Sequence, residues 1–197
     1  MLIFRKIVSF SVITIIMIAF SNTNNFAQKI AIKEPVLITS CGQSPGALKM
    51  KVFMKRDKYD FQYELRATAD MLKKNKFNSI IIVTGASLKG MGAAGVSIKD
   101  ELERVKAIIQ EAKKQNIPII AAHIEGKARR SEGADSGDNS DEISIDLVCP
   151  QADLIIVRSD GNDDGRFTAI AKDKKIPLKS FEKNLDLAQV LSEIYKK

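Results

Sequence analysis

Among 197 residues the chain holds one histidine, His123, and two cysteines, Cys41 and Cys149. A Ser-His-Asp triad or a Cys-His dyad must therefore use His123 or not exist, and a site built on two histidines is excluded, which removes much zinc chemistry. Cys41 ends an apolar run and opens Cys41-Gly42-Gln43-Ser44-Pro45-Gly46. Such a strand-to-helix turn has free amide N–H groups and a helix dipole that favour an anion or a thiolate. His123 likewise ends an apolar run, followed by Glu125, Lys127, Arg129 and Arg130. If these two turns are neighbours, Cys41 as nucleophile and His123 as base would support covalent catalysis. Gly42, Gln43, Ser44, Glu125, Arg129 and Arg130 would then bind a small or anionic ligand. The plainer alternatives are a capped turn with a half-buried thiol and a hydrogen-bonded histidine at a strand end.

Two further segments match short motifs. Lys89-Gly90-Met91-Gly92-Ala93-Ala94-Gly95 contains a literal G-x-G-x-x-G. It starts several residues past its strand, and no acidic residue closes the next strand at the distance a dinucleotide site needs. What remains is an anion loop with Lys89, Gly90 and Gly92 around a phosphate-sized group, or close backbone packing. Asp160-Gly161-Asn162-Asp163-Asp164-Gly165 opens like a calcium loop, with Asp160, Asn162 and Asp164 as oxygen ligands. The closing Glu is missing, since Ala171 holds its place. Calcium is the one cofactor under consideration, against a turn with an Asp-capped helix over Arg166–Ala171.

The elements that position these residues follow from hydrophobic patterning. Continuous β-branched runs at Pro35–Ser40, Ser79–Thr84, Pro118–Ile124 and Asp153–Arg158, with a weaker one at Pro177–Phe181, read as strands buried on both faces, and Tyr59–Leu65, interrupted by Asp, Gln and Glu, reads as a further strand. Helical patterns lie between them. The clearest begins at Ser97, with Asp100 three residues on and a stripe of Ile98, Leu102, Val105, Ile109 and Ala112. Others start at Ser44-Pro45, Thr68 and Leu185. Alternation with short returns specifies right-handed βαβ units: a Rossmann-like three-layer α/β sandwich around a mainly parallel sheet of five or six strands. In such sheets ligands sit at the carboxyl ends of the strands, where all four singled-out turns fall. The stretch from Gly126 to Asp141, rich in Gly, Ser, Asp and Asn, reads as a long loop.

At the N-terminus Arg5 and Lys6 precede an uncharged run, Ile7 to Phe20, and a polar stretch ending at Ala27. This is the layout of a secretory signal, and the run is too short for a comfortable membrane span. The expectation is a signal peptide over 1–27 and one α/β domain over 28–197, periplasmic or secreted. Removal of 1–27 subtracts Arg5 and Lys6 and no acid, lowering the net charge from +7 to +5. The lysines are scattered without aromatic interleaving, which argues against nucleic acid as a partner. Export also argues against a nicotinamide or flavin cofactor. Whether Cys41 and Cys149 pair is left open by the sequence; two thiols, at least one buried, is the plainer expectation.

The segments Ser40–Pro45, Lys89–Gly95, His123–Arg130 and Asp160–Gly165, taken in order, resemble a bacterial domain family of unknown function, DUF6305, over Pro35 to Tyr195. The resemblance implies an exported α/β domain and supplies no catalytic residues. The acidic stretch Ser131–Asp141 is expanded relative to that family. Three functions compete: small-ligand or anion binding at the sheet rim, an extracytoplasmic enzyme using Cys41 and His123, and a calcium-stiffened interaction module. The first is the expectation carried forward.

Overall fold

The computed structural model describes residues 31–130 and 138–196. The expected signal segment, and Ser131 to Gly137 of the acidic stretch, lie outside the described residues. Six strands alternate with helices: β1 (Val36–Ser40), β2 (Phe61–Tyr63), β3 (Ser79–Val83), β4 (Ile119–His123), β5 (Leu154–Arg158) and β6 (Leu178–Phe181). The helices are α1 (Gly46–Arg56), α2 (Ala69–Lys74), α3 (Leu88–Ala94), α4 (Ile98–Lys114), α5 (Ser140–Val148), α6 (Arg166–Lys174) and α7 (Asp186–Tyr195). All strand pairs are parallel, in the order β2-β1-β3-β4-β5-β6. The order reverses between β1 and β3, so the turns leaving those strands diverge at one rim.

Side chains alternate across the sheet with the strand period of two. Val36, Ile38, Ile81, Val83, Ile120, Ala122, Leu154 and Ile156 face the layer of α1 and α7, through Met50, Phe53, Leu187 and Leu191. Leu37, Ile80, Ile82, Ile119, Ala121, Ile155 and Val157 face α2, α4, α5 and α6, through Leu72, Ile108, Ile145 and Phe167. Covered on both faces, β1, β3 and β4 are buried throughout, which is why their runs carry no polar alternation.

Local chemistry sets the helix ends. Ser97 Oγ accepts from the Asp100 amide, and the Asp100 carboxylate accepts from the Ser97 amide, closing a capping box at the start of α4. Ser97→Ala should lower stability by about 1 kcal/mol, read as a lower urea midpoint at unchanged slope. The buried face of α4 is Glu101, Val105, Ile108, Ile109 and Ala112, turned from the expected stripe so that a carboxylate occupies a core position. The expected loop from Gly126 to Asp141 is also corrected. Gly126–Arg129 forms a short 3-10 turn, and Ser140 and Asp141 already belong to α5.

Candidate functional site

The turn after β1 does cradle an anion, and the anion is the chain's own. Gly42 and Gln43 both have positive φ. Their amides donate to the buried Glu101 carboxylate at 3.0 and 3.3 Å. Arg104, one turn further along α4, donates to the same carboxylate at 2.7 and 3.0 Å and to the carbonyls of Ser40 and Ala67. Burial pushes the Glu101 carboxyl up, but Arg104 and the bonds from Gln43 and Gly42 outweigh it and hold the group below its ordinary range. The backbone amides of Gly42 and Gln43 are therefore spent on Glu101, while the buried side-chain amide of Gln43 has no hydrogen-bond partner for Nε2 among the described residues.

The nucleophile reading of Cys41 is overturned as well. Its side chain is fully buried, and burial pushes the thiol up to about 12, away from a thiolate at neutral pH. Neither ring nitrogen of His123 has a hydrogen-bond partner among the described residues, so no Cys41–His123 bond exists. Cys149 is likewise buried and free.

The glycine-rich segment is helix α3, not a loop. Lys89 is exposed on it, the Gly90 amide is taken by Ser87 Oγ at 3.1 Å, and Gly95 caps its end at φ +65. A Cβ on Gly90 would lie 2.9 Å from the Gln43 carbonyl oxygen, whereas one on Gly92 would meet nothing within 4 Å. Gly90 thus serves close packing. Lys89, Gly90 and Gly92 do not converge on a phosphate-sized cradle.

At the ends of β4 and β5 the picture changes. Ser44 Oγ donates to Glu125 at 3.4 Å, and Arg129 Nε donates to the same oxygen at 3.2 Å. The first and third turns are therefore neighbours, as the catalytic and binding readings both required. Beside them, the His123 ring at the end of β4 lies 5.2 Å from the Phe167 ring, tilted by 48°, and its Nε2 is 3.7 Å from Asp141 Oδ1. Ser144 Oγ donates to the Asp141 carbonyl at 2.7 Å and accepts from the Gly85 amide at 3.2 Å, which fixes the first turn of α5 over this rim. His123 Nδ1 and Nε2, both Asp141 carboxylate oxygens and Ser140 Oγ are buried, and none has a hydrogen-bond partner among the described residues.

A cleft of about 210 Å³ is lined by Lys127, Arg130, Glu142, Asp160, Gly161, Asp163, Asp164 and Arg166, and not by His123, Ser140 or Asp141. Gly161 separates it from the histidine: a Cβ there would sit 3.1 Å from His123 Nδ1 and 3.1 Å from Gly126 Cα. Arg130 closes the neighbouring edge. It donates to Glu142 at 2.8 Å, to Asp164 at 2.6 Å and to the Gly161 carbonyl. Against its burial, these carboxylates hold Arg130 firmly protonated. It is a clasp between α5 and the turn after β5, with no bidentate face left for a ligand. Asp160 is held low by Arg158 and Asp164 by Arg130. Asn162 Oδ1 accepts from the Phe167 and Thr168 amides and so caps α6. The three oxygens expected to hold calcium are engaged elsewhere, and among the described residues no cluster of three His, Cys, Asp or Glu is placed for a metal.

Of the expected residues, Ser44, Glu125, Arg129 and His123 meet at this rim. Glu101, Ser140 and Asp141 were not anticipated as its members. Glu101 was legible in principle, because it stands three residues after Ile98 and four before Val105, on the core side of the helical pattern.

Comparison with known proteins adds the following. No curated protein matches this sequence. The family model DUF6305, described as a domain of unknown function, matches residues 33–195. Among solved structures the chain is similar to AlinE4, an SGNH-hydrolase family esterase, at 13% identity and TM-score 0.29, covering 73% of this chain and 72% of that one. It is also similar to the psychrotrophic esterase EstA from Pseudoalteromonas sp., at 11% identity and TM-score 0.31, covering 74% and 75%.

Proposed function

Starting from a chain that belongs to DUF6305, a family whose description assigns no activity, we propose that it is an exported domain that binds a small polar molecule at the carboxyl rim of β4 and β5. The observation that carries this reading is the group of buried, unpartnered polar atoms on His123, Asp141 and Ser140, next to a cleft of about 210 Å³ whose lining includes Gly161, packed against His123. A buried polar group left without a partner costs about 1–3 kcal/mol. A ligand that supplies the missing partners recovers that energy on binding, which is a driving force specific to this place. Export is supported by Arg5 and Lys6 ahead of the apolar run Ile7 to Phe20. The carboxyl end of a parallel sheet is the usual position for such a site.

The test is a melting-temperature screen of the purified chain against polyols, primary amines, amino acids, small carboxylates and phosphate. A ligand held at 100 times its Kd should add about 2.7 kcal/mol of stability. That corresponds to a rise of about 5–10 °C in Tm for a domain of this size. No shift with any class at millimolar concentration would overturn the proposal.

A further inference from the structure

We propose that α1 seats this domain on an anionic lipid bilayer, with Leu48 and Val52 entering the headgroup layer and Lys49, Lys51 and Lys55 lying against lipid phosphates. The proposal is independent of the rim site. It starts from the two sides of one helix. Gly46, Ala47, Met50, Phe53 and Met54 are the buried side of α1, and the last four residues of that side except Gly46 pack in the core beneath it. On the opposite side Leu48 and Val52, one turn apart, are 53% and 59% exposed and belong to neither core cluster. At about 3.6 residues per turn, Leu48, Val52 and Lys55 share the outward crest, with Lys51 on one flank and Lys49 and Arg56 on the other.

A helix side that only faces water gains nothing from these two residues. Valine is a weak helix former at an exposed position, and both side chains leave apolar area in water. Charge identifies what covers them. Residues 46–58 hold five cations, Lys49, Lys51, Lys55, Arg56 and Lys58, against one acid, Asp57, which Arg56 holds at 2.7 Å. No acid stands within α1, and among the described residues Lys49, Lys51 and Lys55 form no ion pair. Lys51 lies 4.7 Å over the Tyr63 ring of the edge strand β2, which extends the cationic flank beyond the helix. An apolar crest between cationic flanks matches a surface with phosphates outside and hydrocarbon beneath: flexible lysine stems keep their ammonium groups at the phosphates while Leu48 and Val52 go deeper. A nucleic acid or an acidic protein would engage the lysines and leave the crest in water. Among the described residues no helix is long and apolar enough to cross a membrane, so the contact made by α1 is peripheral.

The experiment uses the full chain with a fluorescent label on Val52→Cys or, as a control, on Lys106→Cys, an exposed position of α4 on the other face of the sheet. Cys41 and Cys149 are buried, so the label goes to the introduced thiol. Vesicles of equal parts phosphatidylglycerol and phosphatidylcholine, or of phosphatidylcholine alone, carry a quencher on the lipid. The label at 52 should be quenched on the anionic vesicles at low salt and released at high salt, and the label at 106 should stay unquenched. Because each label reports its own position, insertion of the apolar run Ile7 to Phe20 does not reproduce this pattern. In titrations read by the label at 52, replacing Lys49, Lys51 and Lys55 together by Gln should weaken binding about a hundredfold, at about fivefold per lysine. Leu48→Gln should weaken it about threefold to tenfold, and Leu185→Gln, which removes an exposed leucine from the start of α7, should leave it unchanged. A label at 52 that stays unquenched, or that is quenched equally on phosphatidylcholine alone, would overturn the proposal. Equal weakening by Leu48→Gln and Leu185→Gln would overturn the assignment to α1. Binding of soluble polyphosphate that is insensitive to Leu48→Gln, without quenching on vesicles, would assign the face to an anionic polymer and overturn the bilayer seat.

Discussion

Glu101→Ala should cost about 3–5 kcal/mol of folding stability, the penalty for stranding a buried charge by removing its partner. Arg104 would keep its bonds to the Ser40 and Ala67 carbonyls, but its guanidinium would face the core end of α4 without a counterion. The amides of Gly42 and Gln43 would lose their shared acceptor at the same time. For a domain whose total stability is about 5–15 kcal/mol, this is a large fraction, visible as a lower urea midpoint at constant slope. The same carboxylate predicts a pH dependence of definite sign. Burial opposes ionisation of Glu101, yet Arg104 and the two turn residues lower its pKa from 4.5. A group depressed in the folded state contributes stability that is fully present above its unfolded pKa and is lost as pH falls through the folded one. Stability of the wild type should therefore decline below about pH 4.5, and Glu101→Gln should flatten that decline. An acid profile identical in the two proteins would show that the loop does not depend on this charge.

Gly42→Ala should destabilise by about 2–5 kcal/mol, combining the strain of a left-handed residue with overpacking. Gly42 has φ +82, and an added Cβ would lie 2.5 Å from Ala86 Cβ and 2.7 Å from Ala86 Cα. The second of these is backbone, so relief requires moving the turn after β3 away from the turn after β1. The internal comparison is Gly92→Ala. There the Cβ meets nothing within 4 Å and the residue lies inside α3, so stability should rise by about 0.5–1 kcal/mol. Urea unfolding of the two variants separates a glycine required by packing from one that merely completes a motif. Equal effects would mean that the two turns are not in contact.

The glycine-rich motif shows why part of the site was illegible in the sequence. A phosphate loop and the first turns of a helix draw on the same small residues, and only the backbone torsions decide which forms. Here Ser87 caps the segment and Gly95 ends it, so the amides that a phosphate would use are spent inside α3. The acidic stretch misled in a related way. Its last residues, Ser140 and Asp141, read as loop chemistry, yet acids in a first turn are also what a helix N-terminus stabilises, and α5 begins there. The Asp160 segment met its partners across the fold: Arg130, 34 positions away, takes Asp164.

What the sequence determined by itself was the frame. Continuous β-branched runs, capped helical stripes and Ile-Pro returns are local signals, and they led to a mainly parallel α/β sheet of five or six strands with its unusual turns on one rim, where the structure has six strands, all parallel. Cys41 and His123 were placed at the correct strand ends by the same signals. Tertiary structure alone decided what those residues can do. Burial removed Cys41 from nucleophilic chemistry, Glu101 filled the anion cradle from a helix 58 positions away, and Asp141, rather than a thiol, came to face His123. Reactivity depends on desolvation and on which charge lies within a few ångströms, and neither is a property of neighbours along the chain.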